Sequence, residues 1–145
     1  MKCKTYLIFS LVFLILSITP SHTFPQNGNN LSRRNADTSL KLVEALMCEG
    51  VKENAPFNQA FVFSISIGKI SCFTTFDDIK KDTYIYHRWF HREKLSMKRG
   101  LLIKPPRWSI FSSMQLREAD KGPWRVEISD PEGRILRIVR FSITD

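Results

Sequence analysis

The chain has 145 residues, 43% hydrophobic and 25% charged, with a formal net charge of +8. That length allows one domain and leaves no room for a second large one. The basic residues are scattered or paired (Arg33-Arg34, Lys80-Lys81, Lys98-Arg99), which excludes the longer runs of a nucleic-acid tract, so no nucleic acid is expected among the partners.

The chain opens on Met1-Lys2-Cys3-Lys4, followed by an almost wholly apolar run from Tyr6 to Ile18 that Pro20 and Ser21 interrupt. A basic start, a short apolar core and small residues behind it describe a secretory signal peptide, expected over residues 1–23. The run falls short of the roughly 20 residues that a comfortable membrane span needs. The alternative is an uncleaved N-terminal anchor, which would give membrane association through this segment. The expected location is exported and periplasmic. Loss of Lys2 and Lys4 leaves a formal charge of +6, which reads first as a solvated surface and second as a surface for an anionic partner such as an acidic glycan. Residues 24–40 form a polar spacer around Pro25-Gln26-Asn27-Gly28-Asn29-Asn30, and Asn30-Leu31-Ser32 fits a glycosylation acceptor.

Residues 41–145 are expected to be the folded domain. Leu40, Val43, Leu46 and Met47 follow helical spacing, yet the same stretch also suits a first strand with Cys48 facing inward. From Ala60 onward strands dominate. They run over Phe61–Ile67, Ile70–Phe76, Thr83–His91, Lys94–Ile103, Arg107–Leu116, Trp124–Ile128 and Ile135–Ile143, separated by turns such as Asp77–Asp82 and Asp130-Pro131-Glu132-Gly133. Short strands with turns at this spacing predict an all-β fold, a single small β-sandwich of immunoglobulin-like architecture. Cys48 and Cys72 are the cysteines left after export, and their spacing fits no zinc motif. An oxidising compartment permits a disulfide between them, which would stabilise the fold by roughly 3 kcal/mol; two buried thiols are the alternative.

All three tryptophans lie between Tyr84 and Arg125, each beside an arginine. In a strand, neighbours face opposite sides. Trp89, Trp108 and Trp124 are therefore expected in the core, with Arg88 and Arg125 meeting solvent. His87 and Trp89 share a face. Together with Arg125 they form the candidate ligand site, an aromatic platform with an arginine to steer an anion. His87 and His91 would lie about 13 Å apart along a strand, too far for one ion, so no metal is expected. Acidic residues in the turns serve turn chemistry. No nucleophile elbow and no glycine-rich phosphate loop occurs, so no cofactor and no catalytic set is expected. A hydrolase using His87 with a nearby serine, Ser112 or Ser113, or with a carboxylate is the alternative, and a close His87–Ser113 pair in an open pocket would favour it.

The motifs stand in a definite order. Cys48-Glu49-Gly50-Val51-Lys52-Glu53-Asn54-Ala55-Pro56 comes first, then Val62-Phe63 and Gly68-Lys69-Ile70-Ser71-Cys72-Phe73-Thr74. After them come His87-Arg88-Trp89, Arg107-Trp108-Ser109-Ile110-Phe111-Ser112-Ser113, Gly122-Pro123-Trp124-Arg125-Val126-Glu127 and Asp130-Pro131-Glu132-Gly133-Arg134-Ile135-Leu136. This order resembles the bacterial family called domain of unknown function 2914, over roughly residues 42–143. The resemblance implies a small β-rich domain of exported or membrane-associated proteins with no established activity, and it favours a strand over residues 42–51. His87, Trp89, Trp108, Ser113, Gly122, Trp124 and Arg125 match its most characteristic positions, and it implies no catalytic residue. The chain departs from it at Asn54-Ala55-Pro56, where Arg-Glu-Pro is usual. It departs again at Phe90-His91-Arg92-Glu93, in place of a Tyr-Asn-Gly-like turn. The expected role is a non-catalytic binding or accessory module of the bacterial cell envelope, with an envelope protein or glycan as partner. A structural envelope protein held by its N-terminal anchor is the further alternative.

Overall fold

Alternating apolar and polar residues set the layout of two facing sheets, and the strand faces follow from that period of two. The computed structural model describes residues 40–145. The expected signal peptide, the spacer up to residue 39 and the glycosylation pattern lie outside the described residues. The described residues form nine strands: β1 (Lys41–Lys52), β2 (Ala55–Gln59), β3 (Val62–Ser64), β4 (Lys69–Asp77), β5 (Thr83–His91), β6 (Lys94–Ile103), β7 (Trp108–Gln115), β8 (Gly122–Ser129) and β9 (Ile135–Thr144). One sheet has the order β2-β1-β4-β7 and the other β3-β9-β8-β5-β6. The two pack as a small β-sandwich, as the strand spacing indicates. Among the described residues no helix is long and apolar enough to cross a membrane.

The segment with helical spacing is a strand: β1 pairs antiparallel with β4 over Lys41–Cys48, with an irregularity between Leu42 and Glu44. That irregularity shifts the inward face by one residue, so Leu42, Ala45 and Met47 face the core, while Val43 is exposed and Leu46 packs on the other face; the helical spacing of Leu40, Val43, Leu46 and Met47 mixes the two faces. The strand expected over Phe61–Ile67 stops at Ser64. The Ser64 hydroxyl accepts from the Ser66 backbone N–H, and a 3-10 turn covers Ile65–Ile67 before Gly68 closes it at φ 71°. A side chain at that backbone angle would be strained, so glycine ends the turn at low cost.

Phe141 is the hub of the aromatic core. Trp89 meets it edge-on at 6.0 Å, Phe63 edge-on at 6.2 Å, and Trp124 lies stacked on it at 6.2 Å. Trp89 and Trp124 are buried in the core between the sheets. Trp108 is not. It opens β7, an edge strand of its sheet, opposite Phe76, and 38% of its surface remains exposed. Its face points inward by parity, but at an outer corner no strand among the described residues flanks it on its far side.

Cys48 and Cys72 do not form a disulfide; both are free and buried. The register explains this. Met47, not Cys48, stands opposite Cys72, and Cys48 stands opposite Ser71. Residues one position out of step point to opposite faces of a sheet. Cys72 belongs to the core between the sheets, whereas Cys48 packs with Leu46 and Phe73 on the other face. A disulfide needs Cβ atoms about 3.5–4.5 Å apart and facing each other, which this arrangement denies. Burial raises the Cys72 thiol pKa, helped by nearby Cys48. Burial raises that of Cys48 as well, against the lowering effect of the Gly50 and Phe57 backbone groups. Both are therefore protonated thiols near neutral pH.

Candidate functional site: two faces of strand β5

Strand β5 sorts its side chains by parity. Ile85, His87 and Trp89 are buried on the inner side. Arg88 and Phe90 point the other way.

On the inner side, His87 and Trp89 do share a face, and both meet Ser112 of β7. The Trp89 indole N–H donates to the Ser112 hydroxyl at 3.0 Å, and His87 Nδ1 lies 2.8 Å from the same oxygen. His87 Nε2 lies 3.2 Å from Thr74 Oγ1, and the Thr74 hydroxyl donates to the Ile110 carbonyl at 3.2 Å. Only one neutral pattern satisfies every group. Thr74 spends its proton on Ile110, so it accepts from His87 Nε2–H. His87 Nδ1 is then a lone pair, which receives the Ser112 proton, while Ser112 accepts from Trp89. The chain of bonds links β4 and β7 of one sheet to β5 of the other. A protonated His87 would turn Nδ1 into a donor and displace the Ser112 proton. Burial lowers the His87 pKa to about 4, consistent with the neutral form.

Of the two serines expected near His87, Ser113 points to the opposite face of β7 and bonds the Ser71 hydroxyl at 2.8 Å. The serine that does meet His87 is Ser112, one residue earlier and 94% buried, its hydroxyl already held by an indole and an imidazole. The pair is built as a cross-sheet strut. His91 stacks on Trp124 at 4.5 Å and its Nε2 lies 3.0 Å from the Lys121 carbonyl. Among the described residues no group of three or more His, Cys, Asp or Glu side chains could hold a metal ion.

Arg125 is separated from His87 and Trp89 by the thickness of the sheet. The pairing sets Val126 opposite Trp89, so Arg125 stands opposite Phe90 on the outer face. The three residues expected to form one ligand site therefore do not. Arg125 instead joins a shallow hollow lined by Arg92, Glu93, Pro123, Trp124, Arg125 and Arg140. Its guanidinium lies over the Phe90 ring at 4.2 Å. Nε donates to Glu127 at 3.1 Å, and Nη1 donates to Glu93 at 2.8 Å and to the Arg92 carbonyl at 3.1 Å. Glu127 and then Glu93 raise its pKa, so its charge is permanent. Glu127 also bridges Arg88 at 3.1 Å.

Arg140 sits directly opposite Arg125 in the β8–β9 register. Facing like charges destabilise a sheet, with Cβ atoms only about 4.5–5.5 Å apart. Neither Arg92 nor Arg140 forms a salt bridge among the described residues. Arg92 occupies the β5–β6 turn with φ 54°, a left-handed angle uncommon for a side chain of its size. Arg92 and Arg140 carried no sequence signal of their own. The only hint was Arg92 in place of the turn residues usual in the resembling family.

Residues 82–143 match the family described as protein of unknown function (DUF2914). The resemblance drawn from the motif order holds over that segment. It runs from β5 through most of β9 and so contains His87, Trp89, Ser112 and the whole arginine-lined hollow. The earlier motifs, around Cys48 and Cys72, lie outside it. No curated protein matches the chain.

Proposed function

We propose that this β-sandwich is a non-catalytic binding module of an exported bacterial envelope protein, and that it takes an anionic group of its partner in the hollow formed by Arg92, Arg125 and Arg140. The observation that carries this reading is the facing pair Arg125 and Arg140 on adjacent strands, with Arg92 beside them. Glu93 and Glu127 fix Arg125 but leave Arg140 and Arg92 with their donors free for a ligand. Arginine forks suit carboxylate and phosphate oxygens, which would relieve the repulsion between the facing guanidinium groups. A carboxylated envelope glycan or an acidic segment of an envelope protein supplies such a group. Trp124, one of the residues lining the hollow, is anchored in the core and stacked on His91, which fixes the backbone beside Arg125.

The non-catalytic reading is favoured over a hydrolase by the burial of the His87 imidazole and of Ser112, the serine it meets. Calorimetric titration of the full chain with polygalacturonate, and with neutral dextran as control, tests the proposal. The acidic polymer is expected to bind, more weakly as salt rises, and the Arg92→Glu/Arg140→Glu variant is expected to lose at least about tenfold in affinity. Equal binding of dextran, or an unaffected double variant, would overturn it.

A further inference from the structure

The four sheet edges of the described residues are not alike. β2 has five residues, including Pro56, and a left-handed Asn58 at φ 50°. β3 has three residues. β6 carries Lys94, Lys98 and Arg99, and its pairing with β5 is broken by a register shift between Trp89 and Phe90. These are the devices by which sheet edges resist pairing with other chains: shortness, proline, lysine and bulges. β7 has none of them. Its eight residues, Trp-Ser-Ile-Phe-Ser-Ser-Met-Gln, contain no charge and no proline, and its register with β4 runs unbroken over eight pairs. Among the described residues its far side is unpaired. Phe111, in the middle of the strand, is 43% exposed.

We infer that β7 is an interaction edge, and that it pairs antiparallel with β7 of a second copy of this chain. Charge selects this occupant. The chain as a whole is strongly basic, so two copies repel across most surfaces, but an uncharged strand meets its own copy without repulsion. The side chains fit the same symmetry. A two-fold axis through Phe111 sets Phe111 against Phe111 of the second copy, Ser109 against Ser113, Ile110 against Ser112 and Trp108 against Met114. All partners have equal parity, so inner faces continue into inner faces and outer into outer. Two exposed phenyl rings become a cross-strand aromatic pair, and Trp108, left open at the corner of its own sheet, gains a thioether neighbour. The two four-stranded sheets become one of eight strands. An interface built on one strand per copy is small, so the association is expected to be reversible, as are interfaces below about 1,200 Å². This pairing does not depend on the anion-binding proposal and lies in the other sheet.

Sedimentation of the purified full chain over a concentration series, combined with amide hydrogen exchange at the two ends of that series, tests it. A monomer–dimer equilibrium is expected, with amides in residues 108–115 exchanging at least tenfold more slowly at high concentration. Phe111→Lys should abolish both effects while leaving the circular dichroism spectrum unchanged. In a Cys3→Ser background, Phe111→Cys should cross-link to itself on mild oxidation, whereas Gln115→Cys should not, since the axis sets Gln115 against Arg107. A monomer at every concentration would overturn the inference, as would a dimer that survives Phe111→Lys with unchanged exchange in β7. Equal cross-linking of both cysteine variants would overturn the register.

Discussion

The two sides of strand β5 solve opposite problems. On the inner side, His87, Trp89, Ser112 and Thr74 form a closed chain of hydrogen bonds in which every donor has an acceptor and no charge remains. On the outer side, Arg125 is held by two carboxylates while Arg140 faces it and Arg92 adjoins it without a salt bridge. A satisfied buried network resists change and adds rigidity. A cluster of like charges with free donors is open to an opposite charge, as the proposed function requires. The buried His87 thus ties the two sheets together through its hydrogen bonds, and the plainer arginines on the surface are the candidate for recognition.

Substitutions should separate the two sides by size and kind of effect. The largest is Trp89→Ala, expected to lower stability by about 3–5 kcal/mol in urea unfolding, because it removes a fully buried ring that packs on Phe141 and donates to Ser112. Next is pH. The folded His87 pKa is about 4, below its ordinary value of 6.5. The unfolded chain therefore takes up this proton first. Stability is unaffected by His87 above pH 6.5, and falls as pH drops from 6.5 toward 4, by roughly 3 kcal/mol in all. His87→Gln should flatten that slope, and a slope unchanged in the variant would remove His87 as its source. Ser112→Ala should cost about 1–3 kcal/mol, since it leaves the Trp89 N–H and His87 Nδ1 without partners. Ser113→Ala, one residue along but on the other face, should cost less.

That last contrast shows where the sequence stops being readable. The strands were legible because residues such as Trp124, Val126 and Ile128 alternate with Arg125 and Glu127, and only a pleated, half-buried strand gives that pattern a purpose. Trp89 and Trp124 were legible as core on the same ground. β1 was ambiguous because both of its faces carry apolar residues, Met47 toward the core and Leu46 and Cys48 on the other side, and an irregularity near its start breaks the alternation. β2 is not legible because five residues with a proline carry too little pattern. Whether His87 meets Ser112 or Ser113, and whether Cys48 faces Cys72, turns on a single residue of cross-strand register. Neither composition nor local alternation contains that register. The arginine hollow has the same cause. Arg92, Arg125 and Arg140 come from a turn and two strands, and only the pairing of β8 with β9 makes Arg140 the neighbour of Arg125.

The smallest stability effect is expected on the outer side. Arg140→Ala removes one of two facing like charges and should leave stability within about 0.5 kcal/mol of the starting protein, or raise it. A large loss would mean that Arg140 supports the fold and is not held in reserve for a ligand.

Backbone amide shifts during titration of the protein with oligogalacturonate test the recognition claim most directly. Shifts confined to residues 92–93, 123–125 and 140, absent at His87 and Ser112 and abolished in Arg140→Glu, are the predicted result. Shifts that spare the arginine hollow, or that persist unchanged in Arg140→Glu, would contradict it.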